Sequence, residues 1–248
     1  MIKILKKIGS PLVRYLRRAR KMELFNKDLE KFNQLNIDKR LNVSKDLYPF
    51  LDDRTAVTYF EPHYTYHPAW AARVVKEIQP KKHIDISSSL TFCTILSAFV
   101  ETEFYDYRPA LLSLDQLTSA EANLTSLHFG DNSIESLSCM HTIEHIGLGR
   151  YGDEIDPDGD IKAINELKRV CAPGGNLLIV VPVGEQKIMF NAHRIYSATS
   201  FVNYFEGFSL REFSLIDDAG NFIRKSDLSL ADEQLFGCGC FWFIKNNN

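Results

Sequence analysis

The chain has 248 residues, 45% of them hydrophobic and 25% charged, with a formal net charge of −3. That length suits one sizeable α/β core, and no apolar run approaches the roughly 20 residues a membrane-spanning helix needs. The five cysteines are odd in number and mostly sit in apolar runs, as buried thiols in a reducing compartment do, and Cys238-Gly-Cys240 lacks the two-residue spacer of a redox or zinc pair.

The charge is unevenly spread. Residues 1–22 (MIKILKKIGSPLVRYLRRARKM) carry eight Lys/Arg and no acid, which leaves 21 basic against 32 acidic residues, net −11, in the remainder. Apolar side chains interleave with those cations, and the apolar core and cleavage site of a secretory signal are missing. The pattern predicts a basic amphipathic helix, bent near Gly9 to Pro11, able to lie on the anionic inner face of the cytoplasmic membrane. Docking on the protein body or on a second subunit, as in a homodimer, is the alternative. Nucleic acid is not an expected partner, because the acidic remainder repels phosphate. A polar helix from Glu23 to Leu35 and an irregular connector complete residues 1–60, and an α/β domain is expected over 61–248.

The segment PHYTYHPAWAARVVKEIQP places His63, Tyr64, Tyr66 and His67 before Pro68, which is expected to open a helix over Ala69 to Ile78. HIDISSS, His83 to Ser89, reads as a first strand and its turn, followed by a helix from Thr91 to Val100 that the serines can cap. Thr102 to Asp106 reads as a second strand, and its Asp106 lies twenty-one residues beyond Asp85. A carboxylate at that place can accept both ribose hydroxyls of a bound adenosine, with an ion pair to Arg108 as the alternative. A third strand is expected between Leu111 and Leu127.

From Asp131 to Val183 each boundary has its own signal. A turn (Asp131 to Ser133) leads into an apolar-alternating strand, Ile134 to Met140. Ile161, Ile164, Leu167 and Val170 recur at three-residue spacing and define one apolar helix face. Pro173, Gly174 and Gly175 stop that helix and turn the chain, and NLLIVV then reads as a strand buried on both faces. Strand, loop, helix and strand in this order form the unit of a parallel α/β sheet, whose ligands sit beyond the carboxyl ends of the strands. Phe208 to Asp217 and Leu235 to Ile244 are expected as a final antiparallel pair, joined through the turn at Asp217 to Asn221.

The stretches DNSIESLSCMHTIEHI and ELKRVCAPGGNLLIVVP resemble the fourth and fifth strand region of class I S-adenosylmethionine-dependent methyltransferases. More narrowly, HTIEHIGLGRYGDEIDPDG with FNAHRIYS resembles a bacterial methyltransferase-like family of formerly unknown function associated with surface-polysaccharide gene clusters. The resemblance spans Tyr64 to Lys245. It implies a Rossmann-like fold with a mostly parallel seven-stranded sheet, an antiparallel final strand and added N-terminal helices. It also implies S-adenosylmethionine as cofactor, and a sugar, nucleotide-sugar or lipid-linked glycan as acceptor in the cytoplasm.

On that resemblance, Asp85 takes the place of the acid that ends the first strand and engages the cofactor ammonium directly or through water. Ser87, Ser88 and Ser89 stand where glycines are usual, each with a Cβ that restricts close approach. Glu121 and Ala122 correspond to the acid and backbone amide near adenine. His141, Glu144 and His145 fall where the transferable methyl would lie. Neutral histidine suits the base that takes a hydroxyl proton, with His145 preferred and His141 second; a structural role starting the next helix is the alternative. Arg150, Tyr151 and Asp153 of the polar loop, with His193 and Arg194, are candidates for acceptor recognition. His141 to His145 also fits the H-x-x-E-H pattern of inverted zinc peptidases, but the first His follows a strand rather than sharing a helix face with the second, so no metal is expected. Against the enzyme reading stand a degenerate fold acting as a membrane-peripheral scaffold or sugar binder, and a different transferase using a nucleotide sugar.

Overall fold

A computed structural model describes residues 11–38 and 41–247, and contacts divide the chain after Tyr59. In the first unit, the two helices expected on either side of residue 22 are one continuous helix, α1 (Pro11–Leu35), with no buried residue. The expected bend near Gly9 reaches outside the described residues. Lys27 pairs with Glu23 at 2.7 Å and Arg54 with Asp28 at 3.4 Å, and Lys21 bonds Asp52. Among the described residues no helix is long and apolar enough to cross a membrane.

The second unit begins with α2 (Pro62–Ile78), six residues before the expected start at Pro68. Glu61 caps it, its Oε2 accepting from Tyr64 N at 2.6 Å, and Pro62 fills the first turn, where a missing N–H costs nothing. Pro68 is tolerated inside the helix, so His63, Tyr64 and His67 are helical residues rather than a preceding loop.

Eight strands then form one sheet in the order β3-β2-β1-β4-β5-β10-β8-β9. They are β1 (Lys82–Ile86), β2 (Glu101–Asp106), β3 (Leu117–Glu121), β4 (Ile134–Met140), β5 (Cys171–Val183), β8 (Phe208–Ile216), β9 (Phe222–Ile223) and β10 (Gly237–Lys245). The strands β1 to β5 pair in parallel, and β10 lies antiparallel between β5 and β8. The sheet thus has the expected Rossmann-like layout, with the short β9 as one strand more than the seven expected. A separate hairpin joins β6 (Lys187–Met189) to β7 (His193–Ile195).

Alternation along the strands builds two cores. Leu177, Ile179 and Val181 of β5, with Phe241 and Phe243 of β10, face α4 (Gly159–Val170), which contributes Ala163, Ile164, Leu167 and Val170. Leu178 and Val180, with Cys238, Cys240 and Trp242, face α2 and α3 (Leu90–Leu96), which contribute Trp70, Val74, Phe92 and Leu96. Helices on both faces explain the unbroken apolar run of β5. Pro173-Gly174-Gly175 do not separate helix from strand. They form a bulge within β5, so that Ile134 pairs with Cys171 but Ser136 with Asn176. Gly174 takes φ +72° there, in the left-handed region.

Candidate functional site

The carboxyl ends of β1, β2 and β4 bound a cavity of about 350 Å³. Ser87, Asp106, Ala122, His141 and His145 line it, closed over by Tyr151 and Asp153 of the Gly-rich loop. A more open groove lined by Glu77, Arg211, Arg224 and Trp242 lies on another part of the sheet, away from the strand ends where ligands of this fold class bind.

The turn after β1 shows how serine replaces glycine. Ser87 adopts φ +58°, a left-handed conformation costly for a residue with a Cβ. Three hydrogen bonds hold it there: Ser87 N donates to Tyr105 O at 2.7 Å, Ser87 Oγ to the same carbonyl at 3.2 Å, and Thr142 Oγ1 to Ser87 O at 2.8 Å. Ser88 Oγ accepts from Met140 N at 2.9 Å, stitching the turn to β4, and Ser89 Oγ caps α3 by accepting from Phe92 N at 3.2 Å. Only Ser87 of the three reaches the cavity.

Asp85 points under α3 instead, fully buried. Its Oδ1 accepts from Ser88 N at 3.0 Å and its Oδ2 from Ser138 Oγ. Behind it, Ser138 Oγ and Ser136 Oγ flank the two ring nitrogens of buried His83 at 2.9 and 2.8 Å. Burial pushes the Asp85 carboxyl up to about 6, against the hydrogen bonds from Ser138 and Ser88. Burial holds His83 down at about 3, so it is neutral. The expected contact of Asp85 with a ligand is therefore corrected: both carboxylate oxygens are committed within the protein.

Asp106 ends β2 at the cavity, its Oδ1 accepting from Arg108 N at 2.7 Å. The Arg108 guanidinium packs 4.7 Å above the Tyr151 ring, so a stacking contact stands in place of the ion pair that is the alternative role for Asp106. Glu121 ends β3 beside Asp106 in register and is exposed outside the cavity lining.

At the end of β4 the chain turns sharply. His141 takes φ +56°, and Ile143–His145 form one 3-10 turn. Glu144 is 1% exposed, with Oε1 2.9 Å from His141 Nδ1 and 3.7 Å from His145 Nε2. Among the described residues, Glu144 Oε2 and His67 Nε2 are two of three buried side-chain polar atoms with no hydrogen-bond partner. His145 Nδ1 lies 2.6 Å from Ala192 O, which assigns its proton to Nδ1 and leaves Nε2 as the basic atom. Burial depresses its pKa below the ordinary 6.5, against the pull of Glu144. The imidazole is thus neutral and oriented, as a general base must be.

The polar loop is largely self-organised. Asp153 Oδ2 accepts from Gly147 N at 2.8 Å and Gly149 N at 3.3 Å, and Oδ1 from Tyr151 N at 3.1 Å. Burial raises its pKa, but those backbone N–H groups outweigh it and hold the carboxyl below its usual range. Gly147 has φ +80°, and a Cβ there would meet Asp156 O at 2.0 Å, so the loop closes only with glycine. Arg150 donates to Ala192 O at 3.1 Å and lies outside the cavity lining.

Arg194 is also corrected. It is 4% exposed and donates to Ile146 O at 2.7 Å and Pro157 O at 3.1 Å, with Asp160 at 3.4 Å from its Nε. Its guanidinium clamps the base of the loop and cannot greet an anion. His193 packs beside Phe236, ring centroids 5.0 Å apart, outside the cavity lining.

Cys238 was missed by sequence reasoning. Because β10 runs antiparallel, its first residues meet the carboxyl end of β5, with Gly237 opposite Val183. That register brings Cys238 Sγ to 3.4 Å from His141 Nε2. The aromatic and His residues ahead of Pro68 did carry a signal, and α2 places His63, Tyr64 and His67 around the His141 ring, at centroid distances of 5.9, 5.3 and 5.0 Å.

The sheet order and the position of the cavity define a class I methyltransferase fold. Residues 99–228 match the family described as "Caenorhabditis protein of unknown function, DUF268", and the chain belongs to that family. No curated protein matches the chain. Similar solved structures include the N-methyltransferase NodS from Bradyrhizobium japonicum in complex with S-adenosyl-L-homocysteine. It has TM-score 0.53 and 11% identity, covering 75% of this chain and 89% of that one. A putative methyltransferase from Bacillus halodurans gives TM-score 0.51 at 12% identity, covering 73% and 99%. The [4+2]-cyclase SpnF gives 0.50 at 12%, covering 73% and 81%. At such identities the likeness is one of fold, and the cyclase illustrates that fold alone does not fix chemistry.

Proposed function

We propose that the chain is an S-adenosylmethionine-dependent methyltransferase acting on a sugar-type hydroxyl. The observation that carries this reading is the single cavity that gathers the Ser87 turn, Asp106, Ala122 and His145 at the carboxyl ends of three parallel strands. Ser87 keeps the left-handed backbone path that glycine would give, and Asp106 and Ala122 offer a carboxylate and backbone for the nucleoside, so the residues present fit the cofactor. When bound, that cofactor supplies an electrophilic methyl group. His145, with Nδ1 held by Ala192 O, receives the acceptor hydroxyl proton on Nε2. Glu144, 3.7 Å away, stabilises the imidazolium that results. Tyr151 and the loop set by Asp153 screen the site from water and contact the acceptor.

The glycan acceptor rests on the resemblance of the 141–159 loop and FNAHRIYS to polysaccharide-cluster proteins. The eight cations of residues 1–22 support placement at the inner membrane face, beside a lipid-linked saccharide. Transfer of label from methyl-labelled S-adenosylmethionine to saccharide acceptors, lost in His145→Gln, tests the activity; absence of transfer to any sugar acceptor overturns the acceptor class. Liposome sedimentation tests the membrane placement, which fails if deleting residues 1–22 leaves pelleting unchanged.

A further inference from the structure

We propose that His63, His141 and Cys238 form a binding site for a transition-metal ion of the zinc class. One ligand atom from each residue lies within 4.8 Å of the others. The pair resolved individually, Cys238 Sγ and His141 Nε2, is 3.4 Å apart. Two donors on one tetrahedral ion, at the usual Zn–N and Zn–S lengths, are about 3.6 Å apart, so this edge of the site is already set.

The surroundings are those of a metal ligand set rather than of a plain thiol–imidazole contact. His141 presents Nε2 because its Nδ1–H donates to Glu144 Oε1 at 2.9 Å, the carboxylate–histidine arrangement that fixes the tautomer of a metal-bound ring. That Glu144 is 1% exposed, and its second oxygen has no hydrogen-bond partner among the described residues. His67 adds an independent sign. Its Nδ1–H donates to His63 O at 2.7 Å, which leaves a buried Nε2 lone pair with no partner on a ring packed edge-on to His141. Nitrogen and thiolate donors together select zinc or cobalt over magnesium or calcium.

Backbone strain points the same way. His141 is held at φ +56°, a conformation that persists for a non-glycine residue only where its surroundings dictate it, and it turns the ring back toward α2 and β10. Three protein ligands leave a fourth position open, as in sites that bind water or an acceptor oxygen. His141 also lines the cavity, so the ion would stand at the cavity's edge. The proposal does not rest on the methyltransferase reading.

The test is titration of the full-length, chelator-treated protein with Co2+, read by visible and near-ultraviolet absorption without any cofactor. Binding of one ion per chain is expected, with a thiolate-to-cobalt charge-transfer band, intense tetrahedral ligand-field bands, and displacement by Zn2+. Cys238→Ser should abolish the charge-transfer band, while Cys171→Ser, at the opposite end of the sheet, keeps it. His63→Ala changes a half-buried side chain and should weaken binding by more than tenfold. Glu144→Gln should weaken it about 10- to 100-fold, as loss of an orienting partner does. A folded protein that shows no thiolate band, or a band that survives Cys238→Ser, overturns the site.

Discussion

Replacing Asp85 with Asn removes a buried charge while keeping a hydrogen-bonding group of the same shape. In the native chain Ser138 O–H donates to Asp85 and in turn accepts from His83 Nε2–H, while Ser136 O–H donates to His83 Nδ1. With Asn the chain can run in reverse: the amide donates to Ser138, Ser138 to Nε2, and Nδ1–H to Ser136, while Oδ1 still accepts from Ser88 N. Burial lifts the Asp85 carboxyl from 3.8 to about 6. At about 1.4 kcal/mol for each pH unit, ionising it inside the fold costs about 3 kcal/mol at neutral pH. The folded state holds the proton more tightly than the unfolded state, so native stability falls as pH rises from about 4 to about 6 and is level above that. Asp85→Asn should abolish that slope and raise stability at neutral pH by up to about 3 kcal/mol. Urea unfolding followed by circular dichroism over this pH range reads both effects. Asp85→Ala, by contrast, strands two donors at about 1–3 kcal/mol each. An Asn variant less stable than the parent at neutral pH, with the same pH slope, would refute the reversible network.

Ser87→Gly relieves a left-handed residue by about 1 kcal/mol, offset by loss of the 3.2 Å bond to Tyr105 O; the melting temperature should hold or rise, whereas Ser87→Val should lower it. Asp106→Ala should weaken S-adenosylhomocysteine binding about tenfold or more, the loss of a charged hydrogen bond, with an unchanged circular dichroism spectrum. His145→Gln should lower kcat by about 10²- to 10⁴-fold without changing cofactor affinity. The parent rate should fall only at pH below 6.5, because burial depresses the His145 pKa and the base works unprotonated. Arg194→Met takes the counter-charge from buried Asp160, which keeps the hydrogen bond from Tyr196 O–H at 2.9 Å, and should cost about 3–5 kcal/mol in urea unfolding.

Periodicity made the middle of the fold legible. The β4 boundaries, the apolar face of α4 and the buried run of β5 each follow from side-chain spacing within one element. What failed were readings that depend on distant partners. Pro68 looked like a helix start because its own ring restricts the chain, yet Glu61 and Pro62 had already opened α2. Arg194 looked like an anion binder because nothing nearby in sequence shows Asp160 and two carbonyls waiting for it. Asp85 looked like a ligand contact, but Ser136 and Ser138, which turn it inward with His83, come from another strand. Cys238 reaches His141 only through the antiparallel register of β10, which no local spacing encodes.

Calorimetric titration of the purified, folded protein with S-adenosylmethionine and S-adenosylhomocysteine tests the cavity assignment most directly. Micromolar binding of both, weakened by Asp106→Ala, is the expected result. No heat of binding from a sample shown to be folded would contradict the methyltransferase reading.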